Sequence, residues 1–266
     1  MLREFLTHLL TPAPPHIKEM GYLHELIAIS ERHKRCRRAW QPHLDFSKDF
    51  ILQAVNLCAD RNKAVILGSG LLLDIPLAEL SNAFEEVLLV DIFHLSDTRR
   101  TASKYSNVFL LNADIAGIAH SVYRHRSIIP VQKTTGFPGC DFNTSLVISA
   151  NILSQLSLCP ASFLLKKCHA SETDLQNWAK TLVNDHLKRL ANLNCTVCLI
   201  TDHSIIYRDK TGKISAEEDT LHGIKPRLKL PGIQIQKEWQ WEMATLGEIS
   251  RYYSVTLKVM GVIRSK

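Results

Sequence analysis

Short apolar runs alternate with helix-period segments from residue 64 onward. The runs that predict buried strands are 64–68, 87–92, 108–112, 145–150 and 195–201. The segments that predict helices are 74–84, 96–105 and 171–193, together with 115–127, which reads either as a helix or as an irregular stretch. This alternation is typical of an α/β fold with a doubly wound, mostly parallel sheet and helices on both of its faces.

The segment before the first strand is helical in pattern. Its apolar positions predict a helix from about Ile17, an end of the following stretch at Pro42, and another helix from Phe46 to Leu57. We therefore expect two parts: an N-terminal helical cap or extension over residues 1–60, and a Rossmann-like domain over residues 61–266.

The C-terminal part has a different pattern. Residues 208–232 are rich in charge, Gly and Pro, which predicts a long surface loop with a short helical turn near Ala216. Residues 237–245 and 252–263 are strand-like and joined by a short connection that contains Gly247, so they predict an antiparallel hairpin at the far edge of the sheet.

Composition narrows the class of protein. The chain has 266 residues, 45% of them hydrophobic, which suits one large α/β domain with an extension. No apolar stretch reaches the ~18 residues that a membrane span needs, and Glu4 interrupts the N-terminus, so a cytoplasmic protein with no membrane partner is expected. Cys195 and Cys198 match a metal or redox spacing, but within a strand their thiols would point to opposite faces. No second ligand pair has zinc spacing, so no metal site is expected.

A glycine turn, Gly68-Ser69-Gly70, follows the first predicted strand, and Asp91 ends the second. Glycines let the backbone pass close to a ligand, the following helix start offers free N–H groups, and an acid about 20 residues on can accept hydrogen bonds from ribose hydroxyls. This arrangement predicts a nucleoside-containing cofactor. Leu73 stands where the dinucleotide fingerprint has its third glycine, which disfavours NAD.

The chain resembles the class I S-adenosylmethionine-dependent methyltransferases over about residues 64–264. The motifs that carry the resemblance are Val65-Ile66-Leu67-Gly68-Ser69-Gly70, Asp91, Asn112-Ala113-Asp114-Ile115, Leu146-Val147-Ile148-Ser149-Ala150-Asn151 and the C-terminal hairpin. The family's sheet is seven-stranded with its last strand antiparallel, and the resemblance implies the same methyltransferase-type sheet here.

The resemblance implies S-adenosylmethionine as the cofactor and methyl transfer as the reaction. The residues it implies as cofactor-binding are Gly68, Ser69, Gly70, Asp91, Asp114, Ile115 and Asn151. No catalytic residue is predicted, because Asn151-Ile152-Leu153 stands where some family members carry Asn-Pro-Pro-Tyr. A small-molecule acceptor is favoured, and nucleic acid is the alternative.

Other polar and aromatic positions have simpler explanations. The family's acid near the end of the first strand is replaced by Ile66, and Asp74 is interpreted as a helix N-cap. His94 is likewise interpreted as a helix cap. Trp239 and Trp241 should share one face of a strand and pack against a helix, with binding of a planar or cationic group as the alternative. Trp40 and His43, which flank Pro42, are expected to face the methyl acceptor, and a plain packing role explains Trp40 equally well.

Two further functions are compatible with the sequence. An inactive methyltransferase-fold adaptor would explain the altered glycine loop. An RNA-modification factor would explain the basic run Arg32–Arg38, although a solvated helix end is the favoured interpretation of that run.

Overall fold

The computed structural model describes residues 10–131 and 136–265. The strands in these ranges are β1 Lys63–Leu67, β2 Glu86–Asp91, β3 Val108–Asn112, β4 Thr144–Ala150, β5 Thr196–Asp209, β6 Ile214–Asp219, β7 Ile233–Ala244 and β8 Tyr253–Arg264. The α-helices are α1 Pro15–Glu19, α2 Tyr22–Asn56, α3 Leu77–Ala83, α4 Ser96–Ala102, α5 Ala119–His125, α6 Leu158–Cys168 and α7 Glu172–Ala191.

One sheet of eight strands has the order β3-β2-β1-β4-β5-β8-β7, with β6 paired to β5 outside this path. Strands β1 to β5 run parallel, whereas β8 runs antiparallel to both β5 and β7. Apart from β6, an eighth strand that the seven-stranded sheet of the resemblance does not include, this order confirms the predicted class I methyltransferase-type fold: a doubly wound, mostly parallel sheet that ends in an antiparallel hairpin.

The sheet has a hydrophobic core on each face. Alternate side chains of β1 point to opposite sides, so Val65 belongs to one core and Ile66 to the other. Helices α5, α6 and α7 pack on the Val65 side, and α2 and α3 pack on the Ile66 side. Because both faces are covered, the parallel strands are apolar along nearly their whole length, which is why they stand out in the sequence.

Helix α2 corrects two predictions about the N-terminal segment: the end of a helix at Pro42, and a separate helix from Phe46 to Leu57. Pro42 does not end a helix; it lies inside α2, which bends where Cys36 has the non-helical angles φ −99° and ψ 18°. Beyond Pro42 the helix enters the sheet core, where Phe50 lies so close to Gly261 that a Cβ there would be 2.6 Å from Phe50 Cε1.

The predicted loop at 208–232 is partly a hairpin. Strand β5 extends to Asp209 and pairs with β6, so Ala216 lies in a strand and the expected helical turn is wrong. Every residue of β6 is exposed, so no hydrophobic alternation marks it, and its pairing with β5 defines it instead. Helix α6 was also missed by the sequence pattern. Among the described residues, no helix combines the length and apolarity that crossing a membrane requires.

Candidate functional site

The glycine turn lies at the carboxyl end of β1. Gly68 and Gly70 have positive φ angles of 77° and 49°, which favour glycine. The Gly68 N–H donates to Val90 O at 2.9 Å, which fixes the turn to the end of β2. A Cβ at Gly68 would lie 2.7 Å from Ile152 Cβ, whereas one at Gly70 would meet only Gly68 O at 3.9 Å. Gly68 is therefore packed against protein, and Gly70 borders open space.

Asp91 ends β2 beside this turn. Its Oδ2 accepts the Gly70 N–H at 2.7 Å and its Oδ1 accepts the Ile92 N–H at 2.7 Å. Burial raises the pKa of this carboxyl, while these backbone donors and the nearby His94 oppose the increase. An ionised carboxylate has about four acceptor positions, so two hydrogen bonds leave it able to accept further donors from a ligand.

His94 connects the glycine turn to β3. Asn112 Oδ1 can only accept, so His94 Nδ1, at 2.6 Å, carries the proton, and Nε2 accepts from Ser69 Oγ at 3.1 Å. Burial lowers the pKa of the imidazole, which suits this neutral form. The expected helix-cap role of His94 is wrong, since Leu95 occupies the N-cap position of α4 without a side-chain hydrogen bond. His94 instead holds three loops in register.

Asp114 and Ile115 follow β3. Asp114 accepts the backbone N–H groups of Ala116 at 2.9 Å and of Ile118 and Ala119 at 2.6 Å, and so organises the start of α5. The Ile115 carbonyl accepts a hydrogen bond from the buried Arg189 at 2.9 Å. Both residues border the site, but the Asp114 carboxylate already accepts three hydrogen bonds from backbone N–H groups.

Asn151 follows β4 and pairs with Asp74. Its φ is 51°, its Nδ2 donates to Asp74 Oδ2 at 2.7 Å, and its buried Oδ1 has no hydrogen-bond partner among the described residues. Asp74 is not the predicted N-cap, because α3 begins only at Leu77 and Pro76 precedes it. Burial raises the pKa of Asp74. The two side chains place a carboxylate and a free amide oxygen side by side.

A cavity of about 660 Å³ opens at the carboxyl ends of these strands. Ligands of a doubly wound sheet bind at such an edge, and the volume is within the ~300–1,000 Å³ usual for small-molecule sites. The residues predicted from the sequence all line it: Gly68, Ser69, Gly70, Asp91, Asp114, Ile115 and Asn151. The structure thus brings together residues from four separate strand ends.

The N-terminal segment supplies the facing wall of this cavity. Its lining residues run from Glu19 in α1 to Leu44 in α2 and include Tyr22. Cys159 of α6 also lines the cavity, and burial raises the pKa of its thiol to about 12, so the thiol is protonated at neutral pH and a poor nucleophile. Neither Tyr22 nor Cys159 lies in a recognisable motif, and the sequence gives no signal for them.

Aromatic side chains complete the wall where α2 meets β7. Trp40, His43 and Trp241 all line the cavity. The His43 ring stacks on Trp241 with centroids 4.2 Å apart, and Trp40 meets Trp241 edge-on at 4.9 Å. His43 Nδ1 also accepts the Trp239 indole N–H at 3.0 Å. Trp239 and Trp241 therefore share one face and pack against a helix, as their spacing predicts.

No protein-family model matches the chain, and neither does any curated protein. Similar solved structures include the N-methyltransferase NodS from Bradyrhizobium japonicum WM9, with 11% identity over 84% of this chain and 96% of that chain and a TM-score of 0.40. Two Burkholderia thailandensis proteins also match at 12% identity. The 1,6-didemethyltoxoflavin-N1-methyltransferase covers 96% of this chain and 92% of its own (TM-score 0.38). The match to an O-methyltransferase family protein covers 100% of this chain and 69% of that chain, with a TM-score of 0.41. At these scores, the strand order of the sheet is what identifies the fold.

Proposed function

We propose that the chain transfers a methyl group from S-adenosylmethionine to a small-molecule acceptor in this cavity. The observation that carries the proposal is the position of Asp91. Its carboxylate lies on the cavity wall at the end of β2, against the Gly70 N–H at 2.7 Å. A buried carboxylate beside a glycine turn is suited to accept the two hydroxyls of a ribose.

The residues around Asp91 fit the rest of such a cofactor. Gly70 borders open space, so a ligand can approach its backbone. Ile115 offers an apolar contact for a base, since the Asp114 carboxylate is engaged by backbone N–H groups. Asp74 and the unpaired Asn151 Oδ1 offer acceptors to an ammonium group, in place of the family acid that Ile66 replaces. These carboxylates suit a cofactor with net positive charge.

A bound S-adenosylmethionine would supply an electrophilic methyl group to a lone pair of the acceptor, with the carbon–sulfur bonding pair going to sulfur and any displaced acceptor proton passing to solvent after the transfer. The chain's own contribution is to align the two ligands and exclude water. His43 is a poor base, because burial lowers its pKa to about 3 and its Nδ1 already accepts from Trp239. The proposal therefore rests on positioning and assigns no catalytic residue.

The segment before β1 acts in this proposal as a cap that selects the acceptor. Residues 19–44 contribute a wall of the cavity, whereas the part of α2 from Phe50 to Val55 is buried in the sheet core. In this proposal, the part of the N-terminal segment that acts as the cap ends inside α2.

The test is calorimetric titration of the full chain with S-adenosylmethionine, S-adenosylhomocysteine and NAD. We expect S-adenosylmethionine and S-adenosylhomocysteine to bind and NAD to bind much more weakly. A second assay then detects release of S-adenosylhomocysteine when candidate acceptors are added with S-adenosylmethionine. A folded protein that binds neither S-adenosylmethionine nor S-adenosylhomocysteine would contradict the proposal and favour the inactive adaptor.

The RNA-modification alternative receives less support. Within the basic run, Arg35 donates to Glu248 at 2.7 Å and 2.9 Å, so one of its cations is engaged by the protein. Binding of RNA that falls with salt and is lost on neutralising Arg37 and Arg38 would reverse this preference.

A further inference from the structure

We propose that the α2–β7 end of the cavity, formed by Trp40, His43, Leu44 and Trp241, is the acceptor subsite and takes an uncharged, planar heteroaromatic molecule with a ring atom that accepts a hydrogen bond. The inference rests on the proposed methyl transfer. It identifies the acceptor class, which the strand-end residues leave open.

The subsite is continuous with the proposed cofactor end. Leu73, which lies between the glycine turn and Asp74, packs in the same apolar cluster as Trp40, Leu44 and Trp241. Leu73 and Asp74 both line the cavity. A ring held among these side chains would therefore lie next to the Asp74 end of the cofactor site.

One indole N–H in this wall has no partner. Trp40 donates to Met243 O at 2.9 Å, Trp178 donates to Ile129 O at 2.9 Å, and Trp239 donates to His43. The buried Nε1 of Trp241 has no hydrogen-bond partner among the residues that the structure describes. Buried indole N–H groups usually find an acceptor, and leaving one unpaired is destabilising. An acceptor atom on a ligand would supply what the protein lacks.

The charge and ring arrangement disfavour a cationic ligand. His43 stacks on Trp241 with an interplanar angle of 4°, so one indole face that a cation would use is already covered. Because His43 Nδ1 accepts from Trp239, the neutral ring carries its proton on Nε2 and adds a second donor rather than an acceptor. The surrounding Leu44 and Leu73 are aliphatic, which suits an uncharged ring.

The experiment compares three probes of matched shape on the full chain saturated with S-adenosylhomocysteine: quinoline, naphthalene, which lacks the acceptor nitrogen, and N-methylquinolinium, which is charged. Ligand-observed NMR measures each affinity. We expect quinoline to bind most tightly. Trp241→Phe, which keeps a ring but removes the N–H, should weaken quinoline roughly two- to tenfold more than naphthalene, because both probes lose the same ring contact and only quinoline loses the hydrogen bond. Trp178→Phe, which removes an indole N–H outside the cavity, should change neither.

Three results would overturn the subsite: N-methylquinolinium binds most tightly, naphthalene binds as well as quinoline, or Trp241→Phe leaves quinoline affinity intact. The probe comparison on the unmodified chain decides even if the variant misfolds. Repeating it without S-adenosylhomocysteine separates the two proposals. If S-adenosylhomocysteine fails to bind but the quinoline preference persists, the proposed function fails, and the site binds such rings without being a methyl-acceptor subsite. If S-adenosylhomocysteine binds without that preference, the cofactor assignment stands and the subsite fails.

Discussion

The two sides of the cavity are built in opposite ways. On the strand-end side, carboxylates and glycine backbone are fixed by short hydrogen bonds, such as Gly70 N–H to Asp91 at 2.7 Å. On the α2–β7 side, aromatic rings pack against one another. The indole of Trp239 donates to His43, 196 positions away, and the indole of Trp40 donates to the Met243 carbonyl, 203 positions away. One side is polar and fixed by hydrogen bonds at the strand ends; the other is aromatic and assembled from both ends of the chain.

The difference indicates that the two sides recognise their ligands in different ways. Fixed carboxylates and backbone groups recognise a ligand of constant chemistry, because a misplaced donor or acceptor costs binding energy at once. Aromatic packing recognises shape and tolerates variation in the ligand. Substitutions on the two sides should therefore separate stability, cofactor affinity and acceptor affinity.

The largest effect is expected from Trp40→Ala. Trp40 is 2% exposed, and the substitution removes its indole from between α2 and β7 together with the hydrogen bond to Met243 O. Loss of a buried Trp costs about 3–5 kcal/mol, measured as the free energy of unfolding in urea. Leu228→Ala, at a side chain that is 74% exposed, is the control. An equally stable Trp40→Ala would show that the aromatic wall does not bind α2 to the sheet.

Asp91→Ala should act on cofactor affinity. Each charge-assisted hydrogen bond to a ribose hydroxyl contributes about 1.5–3 kcal/mol, so S-adenosylhomocysteine should bind at least tenfold more weakly in calorimetry. Asp97→Ala, on the exposed surface of α4, is the matched control and should bind normally. Unchanged affinity in Asp91→Ala would remove the ribose assignment.

Gly68 and Gly70 allow a sharper comparison within the strand-end side. Gly68→Ala places a Cβ 2.7 Å from Ile152 Cβ at a φ of 77°, so it should destabilise the fold by about 1–3 kcal/mol. Gly70→Val meets no atom closer than Gly68 O, and the strain of its φ of 49° is confined to the turn, so the fold should survive while S-adenosylhomocysteine binding is abolished. Thermal unfolding and calorimetry measure the two effects. If Gly70→Val binds normally, the loop is only a structural turn.

The smallest effect concerns His43 and pH. Burial lowers its pKa to about 3, below the unfolded value of 6.5, so its contribution to stability is complete above pH 6.5 and is lost as the pH falls toward 3. His43→Phe, which keeps a ring against Trp241, should lose about 1–2 kcal/mol at pH 7 from the unpaired Trp239 N–H and show a shallower decline between pH 6.5 and 3. Urea unfolding at several pH values checks this. His186, whose pKa is also lowered to about 3 by burial, remains in both proteins as an internal reference. A decline as steep as that of the unmodified chain would contradict it.

The strand ends that meet at the cavity could be predicted from the apolar pattern of the chain. Strands β1, β2 and β4 are buried on both faces, so each is recognisable in the sequence as an uninterrupted apolar run. The glycines and acids that follow these runs mark the strand ends. Once parallel strands are predicted, their carboxyl ends must share one edge of the sheet. Gly70, Asp91 and Asn151 could therefore be expected near one another without a structure.

The hydrogen-bond partners of His94 and Asp74, strand β6 and the aromatic wall follow from the tertiary structure. His94 and Asp74 are not the predicted helix caps, because their side-chain partners are distant in sequence. His94 pairs with Ser69 and Asn112. Asp74 pairs with Asn151. Strand β6 is exposed throughout and depends on pairing with β5. The aromatic wall depends on α2 crossing to β7 near the far end of the chain, and no local pattern specifies that contact. Local propensity and periodicity act over a few residues, whereas these contacts are set by how the whole chain packs.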